Sequence, residues 1–283
     1  MDNSLLESVR INSGGKTTSW VDIRSGRLFL RDFLTGRVSS AYVADYLSFA
    51  QRLQDGSFLF AAGQQIGRFR DGRVVELSEK LIESNRRFND GCIDSAGRLV
   101  IGTMNLNTTD HRNMLFCFEN DGSVTTLDNK VGLSNGLTAI PVSGNLVSVD
   151  SASGTLYVWR LQFDQSYGKK EVFHRFPKET PDGISCSAAG TVAVALWGSS
   201  SIAYLTPSGE EIDRWTIPRK FVTSLAFCPA TGDLLVAAAS EQSLSETSIG
   251  ESGGIWRLKV NISGVTGNEW QPYALSGIDP GAI

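Results

Sequence analysis

Apolar runs of strand length alternate with glycine-centred turns along nearly the whole chain, and no long amphipathic helix pattern interrupts them. One class of turn returns at a regular distance: NSGG at 12–15, QDG at 54–56, SAG at 95–97, VSG at 142–144, AAG at 188–190 and ATG at 230–232. Their glycines, Gly14, Gly56, Gly97, Gly144, Gly190 and Gly232, lie 42, 41, 47, 46 and 42 residues apart. Runs such as SFLFAA (57–62), RLVIGT (98–103), TVAVAL (191–196) and DLLVAA (233–238) follow the turns, and a second turn such as RDG at 70–72 usually comes next. A period of about 40–50 residues holding several strands is the sequence form of a propeller blade. Six such turns predict an all-β, six-bladed β-propeller, formed as a single domain over residues 1–283. The residues before each turn would form the innermost strand and line the central channel. Glycine serves these turns because a tight hairpin needs a positive φ.

Composition narrows the function classes. Hydrophobic residues make up 41% and charged residues 20%, the balance of a soluble globular protein. A net charge of −4 without a basic run predicts no nucleic-acid partner, and the lack of an apolar span predicts no membrane partner. The start MDNSLLESVR has neither the basic opening nor the apolar stretch of a secretory signal. Cys92, Cys117, Cys186 and Cys228 show no CxxC or finger spacing, so a reduced, cytoplasmic protein is expected. Three of the four (Cys92, Cys186 and Cys228) stand four or five residues before their turns, where a small hydrophobe would pack between blades.

Chemistry enters at one phase of the repeat. Glu7, Asn89, Asn135 and Asp182 lie seven to nine residues ahead of Gly14, Gly97, Gly144 and Gly190. The same places in the other two blades fall near Ser48 and near Thr223 or Ser224. Any one of NDG, SNG and PDG alone reads as an ordinary hairpin turn. Their shared phase instead predicts two carboxylates and two amides converging on the propeller axis as an all-oxygen ligand set for a divalent cation. Calcium suits such a set best, with zinc, manganese and magnesium left open. The two histidines, His111 and His174, fall outside this phase, and no GxSxG elbow supports a serine triad. Arg87 stands two residues before Asn89 and by strand alternation shares its face, aimed at the metal mouth. Arg86 would face the other way, Asp90 would brace the loop or a water, and Trp197 and Phe221 would wall the pocket.

These motifs resemble the SMP-30/gluconolactonase/regucalcin family, which includes luciferin-regenerating-enzyme-like proteins. The match runs through WVDIRSGRLFLRD (20–32), RFNDGCIDSAGRLVIGTM (87–104), SNGL (134–137), VDS (149–151), TPDGIS (180–185), ALWG (195–198), TSLAF (223–227) and SGGIWRL (252–258), in family order. The resemblance implies a six-bladed lactonase with one divalent cation held by Glu7, Asn89, Asn135 and Asp182. It implies substrate contacts at Arg87 and Asn89, and a general base at Asp182. Two segments depart from the pattern: LESV stands where the family opens GEGP, and TTDHRNMLFCF (108–118) replaces a small, glycine-rich HxGALYR-like segment.

The expected activity is therefore metal-dependent hydrolysis of a sugar-acid (aldono-) lactone or a similar small lactone, with the lactone as the partner. Asp182 would act as base, and Arg87 with the amides would steady the tetrahedral oxyanion. The rivals are a non-catalytic, calcium-binding propeller and a phosphotriesterase-like hydrolase of the diisopropylfluorophosphatase type.

Overall fold

A computed structural model describes residues 4–12, 15–107, 112–229, 231–240 and 254–258, and the backbone of 270–272 and 278–279. It contains six sheets, each built on a four-stranded antiparallel meander, and no helix among the described residues. In chain order the first sheet holds β1 (Leu6–Ile11), β2 (Thr17–Asp22), β3 (Arg27–Asp32) and β4 (Val38–Tyr42), and the second β5 (Leu47–Arg52), β6 (Phe58–Ala62), β7 (Gln65–Arg70) and β8 (Arg73–Leu77). The third holds β9 (Arg86–Ile93), β10 (Leu99–Asn105), β11 (Asn113–Phe118) and β12 (Val124–Val131). The fourth holds β13 (Ser134–Ala139), β14 (Leu146–Asp150), β15 (Thr155–Trp159) and β16 (Glu171–Arg175). The fifth holds β17 (Thr180–Cys186), β18 (Val192–Trp197), β19 (Ser201–Leu205) and β20 (Glu211–Thr216). The sixth holds β21 (Val222–Phe227), β22 (Leu234–Ala238), β23 (Gly254–Leu258) and β24 (Trp270–Pro272). A two-residue strand, β25 (Ile278–Asp279), pairs in parallel with the outer edge of β4. Six blades, each a four-stranded meander, make the all-β six-bladed propeller class that the repeat predicts.

The turns form as their chemistry demands. At each of the six, the glycine N–H donates to a backbone carbonyl three or four residues back, from Gly15 to Asn12 through Gly232 to Cys228. Gly56, Gly97, Gly144, Gly190 and Gly232 all take positive φ, between 69° and 90°. In the first turn Gly15 has this role at φ 64°; Gly14 lies outside the described residues, as does His111.

The chain separates into two compact units, Met1–Glu83 with Thr223–Ile283, and Ser84–Val222. In the first unit β1 lies against β5 on one side and β22 on the other. In the second, β9 lies against β13, and β13 against β17. The second strands β14 and β22 are buried at every residue, and β18 at every residue but Trp197, on both faces of the strand alike. This is why they read as unbroken apolar runs rather than alternating ones. The outer strand β8 is exposed at every residue. The core consists of interblade seams: Val21 and Leu28 of the first blade meet Leu47, Phe58 and Phe60 of the second. Val147 and Leu156 of the fourth meet Val192, Val194 and Leu205 of the fifth. Trp20 and Phe29 stack at 5.4 Å in the seam with Leu235 and Ile255. Each such large side chain contributes about 1.5–3 kcal/mol by leaving water.

Candidate functional site

The polar motifs NDG, SNG and PDG are not hairpin turns. They sit inside the innermost strands, each at a one-residue bulge. In β9, Phe88 pairs with Thr103 and Gly91 with Ile101, so Asn89 and Asp90 together face Gly102. In β13 the flanking pairs are Ser134–Asp150 and Leu137–Ser148, which sets Asn135 and Gly136 against Val149. In β17 they are Pro181–Leu196 and Ile184–Val194, which sets Asp182 and Gly183 against Ala195. The first unit repeats the device one position later: between the pairs Glu7–Val21 and Arg10–Ser19, β1 sets Ser8 and Val9 against Trp20, so Glu7 is a paired residue just ahead of the bulge. In β5 the extra residue is Ser48, between the pairs Leu47–Ala62 and Phe49–Ala61. A bulge re-aims the side chain at its start and loosens the local ladder, which is why bulges gather at functional sites. Asn89, Asn135 and Asp182 each begin the extra segment of their own strand, whereas Glu7 stands one residue before its bulge.

The second unit brings Asn89, Asn135 and Asp182 together. Asn89 Nδ2 donates to the Ser134 carbonyl at 2.8 Å and to Asn135 Oδ1 at 3.3 Å. With its nitrogen engaged there, Oδ1 is the atom Asn89 can offer to a cation. The Gly136 backbone lies against Asp182: a Cβ on Gly136 would fall 2.5 Å from the Asp182 carbonyl and 2.6 Å from the Ile184 nitrogen. Gly102 allows a similar approach, because a Cβ there would meet Ser134 Oγ at 1.8 Å. Glycines opposite and within the bulges thus let neighbouring inner strands close up. Glu7 is half-buried and belongs to the first unit.

Asp182 is the electrostatic centre of the second unit. It is 4% exposed, and its Oδ1 is buried without a hydrogen-bond partner. Burial pushes its carboxyl well above the ordinary carboxylate range, and the negative charge of Asp90 adds to the rise. Asp90 is itself buried and accepts from the Gly91 N–H at 2.7 Å. An orphaned buried carboxylate oxygen beside a second carboxylate and two amides is a donor set that fits a divalent cation. Among the described residues no three His, Cys, Asp or Glu side chains gather around a metal-sized gap, so any set here must draw on amide oxygens.

Arg87 is buried beside this set, with Nη1 donating to the Phe88 carbonyl at 3.0 Å. Arg86 points away as expected, its Nη1 on Asn113 Oδ1 at 3.1 Å. Trp197 and Phe221 pair at 4.8 Å. His174 is more embedded than a surface strand residue, with Nδ1 at 2.8 Å from the Gly209 carbonyl and the Phe176 ring 4.4 Å away.

Sequence reasoning passed over the residues that hold these strands in place. Asp150 Oδ1 accepts from the Leu133 N–H at 2.9 Å, two residues before Asn135, and its Oδ2 accepts from Ser153 Oγ at 2.9 Å. In the first unit Asp22 accepts from the Leu5 N–H at 3.0 Å, two residues before Glu7, and from Ser25 Oγ at 2.7 Å. A shared D-x-x-S-G, at Asp22–Gly26 and Asp150–Gly154, is the signal that identifies both. Ser151 Oγ donates to the Pro181 carbonyl at 2.6 Å and so ties the residue before Asp182 to the fourth blade.

A family model described as SMP-30/Gluconolactonase/LRE-like region matches residues 5–240. A pentonolactonase of Haloferax volcanii is 32% identical over 262 residues, covering 88% of both chains. A 6-deoxy-6-sulfogluconolactonase of Pseudomonas putida is 25% identical over 256 residues, covering 87% of both. Among solved structures, regucalcin of Agrobacterium tumefaciens, described as a calcium-binding protein, superposes with a TM-score of 0.78 at 24% identity, covering 87% of this chain and 85% of its own.

Proposed function

This chain belongs to the SMP-30/gluconolactonase/LRE-like family, and we propose that it is a lactonase that opens a sugar-acid lactone with the help of one divalent cation. The observation that carries the proposal is Asp182, a buried carboxylate with an orphaned oxygen, set beside Asp90 and the Asn89–Asn135 amide pair. The lactonase names of two relatives support the reaction class. Asn89, Asn135 and Asp182 would hold the cation, and the all-oxygen set favours calcium. Glu7 completes the set in the sequence reading and belongs to the first unit.

When bound, the cation supplies Lewis acidity toward the lactone carbonyl. Asp182 accepts a proton from the attacking water as the oxygen bonds to the carbonyl carbon. A carboxylate held in place beside the attacking water can do the work of a general base. The Arg87 guanidinium and the amides steady the negative oxygen of the tetrahedral intermediate. The ring C–O bond then breaks, its oxygen takes up the proton, and an open hydroxy acid leaves.

Hydrolysis of a panel of aldonolactones, followed by proton release with stripped and cation-loaded protein, tests the reading. Turnover that needs the cation and disappears in Asp182→Asn is expected. Cation binding without turnover on any lactone would favour the binding propeller instead.

A further inference from the structure

The backbone carbonyl just ahead of each of the four predicted cation ligands accepts a hydrogen bond from a side chain. In the second unit, Arg87 Nη1 donates to the Phe88 carbonyl at 3.0 Å, ahead of Asn89, and Asn89 Nδ2 donates to the Ser134 carbonyl at 2.8 Å, ahead of Asn135. Ser151 Oγ donates to the Pro181 carbonyl at 2.6 Å, ahead of Asp182. In the first unit, Thr223 Oγ1 donates to the Leu6 carbonyl, ahead of Glu7. Each of these carbonyls belongs to an innermost strand, which pairs within its sheet along one edge only. A buried carbonyl that misses the ladder needs a partner from elsewhere. Arg87 and Asn89 are themselves predicted site residues, whereas Ser151 and Thr223 are not.

Ser151 is distinguished by what it joins. Its N–H donates to the Leu133 carbonyl at 3.0 Å, and the neighbouring Asp150 Oδ1 accepts from the Leu133 N–H at 2.9 Å. The chain two residues before Asn135 is thus held at both of its backbone polar groups, and the Ser151 hydroxyl then reaches across to the fifth blade. In the first blade Asp22 and Ile23 hold Leu5 in the same way, its N–H and its carbonyl both at 3.0 Å. Ile23, in the place of Ser151, is buried in the seam with the second blade, where the ligand phase falls on Ser48. A hydroxyl takes this place where the next blade carries Asp182.

Pro181 gives that contact its leverage. Proline has no N–H and its ring fixes φ, so the carbonyl is the one backbone group by which Pro181 can be held, and ψ is its one free torsion. Fixing the carbonyl fixes ψ, the plane of the peptide that follows, and with it the placement of the Asp182 backbone. On the other side the Asp182 carbonyl lies so near Gly136 that a Cβ there would be 2.5 Å away. The Asp182 backbone is therefore held from the fourth blade before and after, and its side chain is the buried carboxylate whose Oδ1 has no hydrogen-bond partner. We propose that Ser151 is a positioning residue for Asp182, setting the direction in which that carboxylate presents its oxygens to a divalent cation. The inference rests on the reading of Asp182 as a cation ligand.

Calorimetric titration of the metal-stripped whole chain with calcium, zinc, manganese and magnesium in turn tests it, in the unaltered protein and in Ser151→Ala, Ser151→Thr and Val192→Ala. Val192 is fully buried and pairs with Cys186 at the far end of β17, so Val192→Ala lowers stability without touching the strand ahead of Asp182. Ser151→Ala should weaken the affinity for the bound cation about tenfold, the upper worth of one neutral hydrogen bond. Ser151→Thr, which keeps the hydroxyl, and Val192→Ala should bind as the unaltered protein does. The comparison of Ser151→Ala with Val192→Ala decides even where the added methyl keeps Ser151→Thr from folding. Unchanged cation affinity in Ser151→Ala, an equal loss in Val192→Ala, or a folded Ser151→Thr that binds no better than Ser151→Ala would overturn the proposal and leave the cation reading in place. No cation binding by the unaltered protein would overturn that reading and the proposal with it.

Discussion

At the scale of the residue, Asp182 decides most. A carboxylate this deeply buried beside Asp90, with an oxygen lacking a partner, destabilises the fold when ionised unless a cation compensates it. Asp182→Asn removes the charge and keeps the shape. The substitution should lower lactone hydrolysis by about 10²–10⁴-fold, the usual worth of a general base, while the melting temperature of the cation-stripped protein holds or rises. A large fall in that melting temperature would mean that Asp182 is a structural partner and not a vacant ligand. The identity of Asp182, Asn89 and Asn135 as one set was legible in the sequence because they share a phase in the repeat. Their setting was not: NDG, SNG and PDG are the commonest hairpin signals, and only the pairing of each strand shows that the extra residue forms a bulge within a strand. The neighbourhood of Asp90 and Asp182 was equally hidden, since they are far apart in the chain and come together only when β9, β13 and β17 line up.

At the scale of the element, the site depends on how closely inner strands approach and on how their entries are fastened. Gly136 has no room for a methyl group, because its neighbours there are backbone atoms of Asp182 and Ile184 that cannot rotate away. Gly136→Ala should therefore destabilise the protein by roughly 1–3 kcal/mol, as overpacking does, and reduce kcat/KM; denaturant melts with kinetics check both. An unaltered kcat/KM would show that the β13–β17 approach does not set the site. Asp150 works at a distance, by fixing the Leu133 N–H just ahead of Asn135. Asp150→Ala should cost about 1–3 kcal/mol through the stranded donor and weaken cation affinity. Asp150→Asn, which retains an acceptor for Leu133, should restore most of that affinity at matched stability. Equal affinity in both variants would make Asp150 a structural cap and nothing more. The strands themselves were readable from their apolar runs and turn glycines. The added strand β25 was not, because two residues pairing with an outer edge leave no periodic trace.

At the scale of the whole molecule, the repeat that announces six blades is also what places one polar residue at the same register in strand after strand. A cation that binds only the folded chain must stabilise it by mass action. At a hundredfold excess over Kd the gain is about 2.7 kcal/mol, which for a chain of 283 residues raises the melting temperature by about 5 °C. Scanning calorimetry with calcium should show this shift in the unaltered protein and its loss in Asp182→Asn. Retention of the shift in that variant would place the cation elsewhere.

The measurement that bears most directly on the central claim is proton release from a panel of aldonolactones, with protein stripped of metal and then reloaded with calcium, zinc, manganese or magnesium. The account predicts no turnover in the stripped protein, recovery with a divalent cation, and no recovery in Asp182→Asn. Turnover that survives both metal removal and Asp182→Asn, or its absence with every lactone and cation despite tight cation binding, would contradict it.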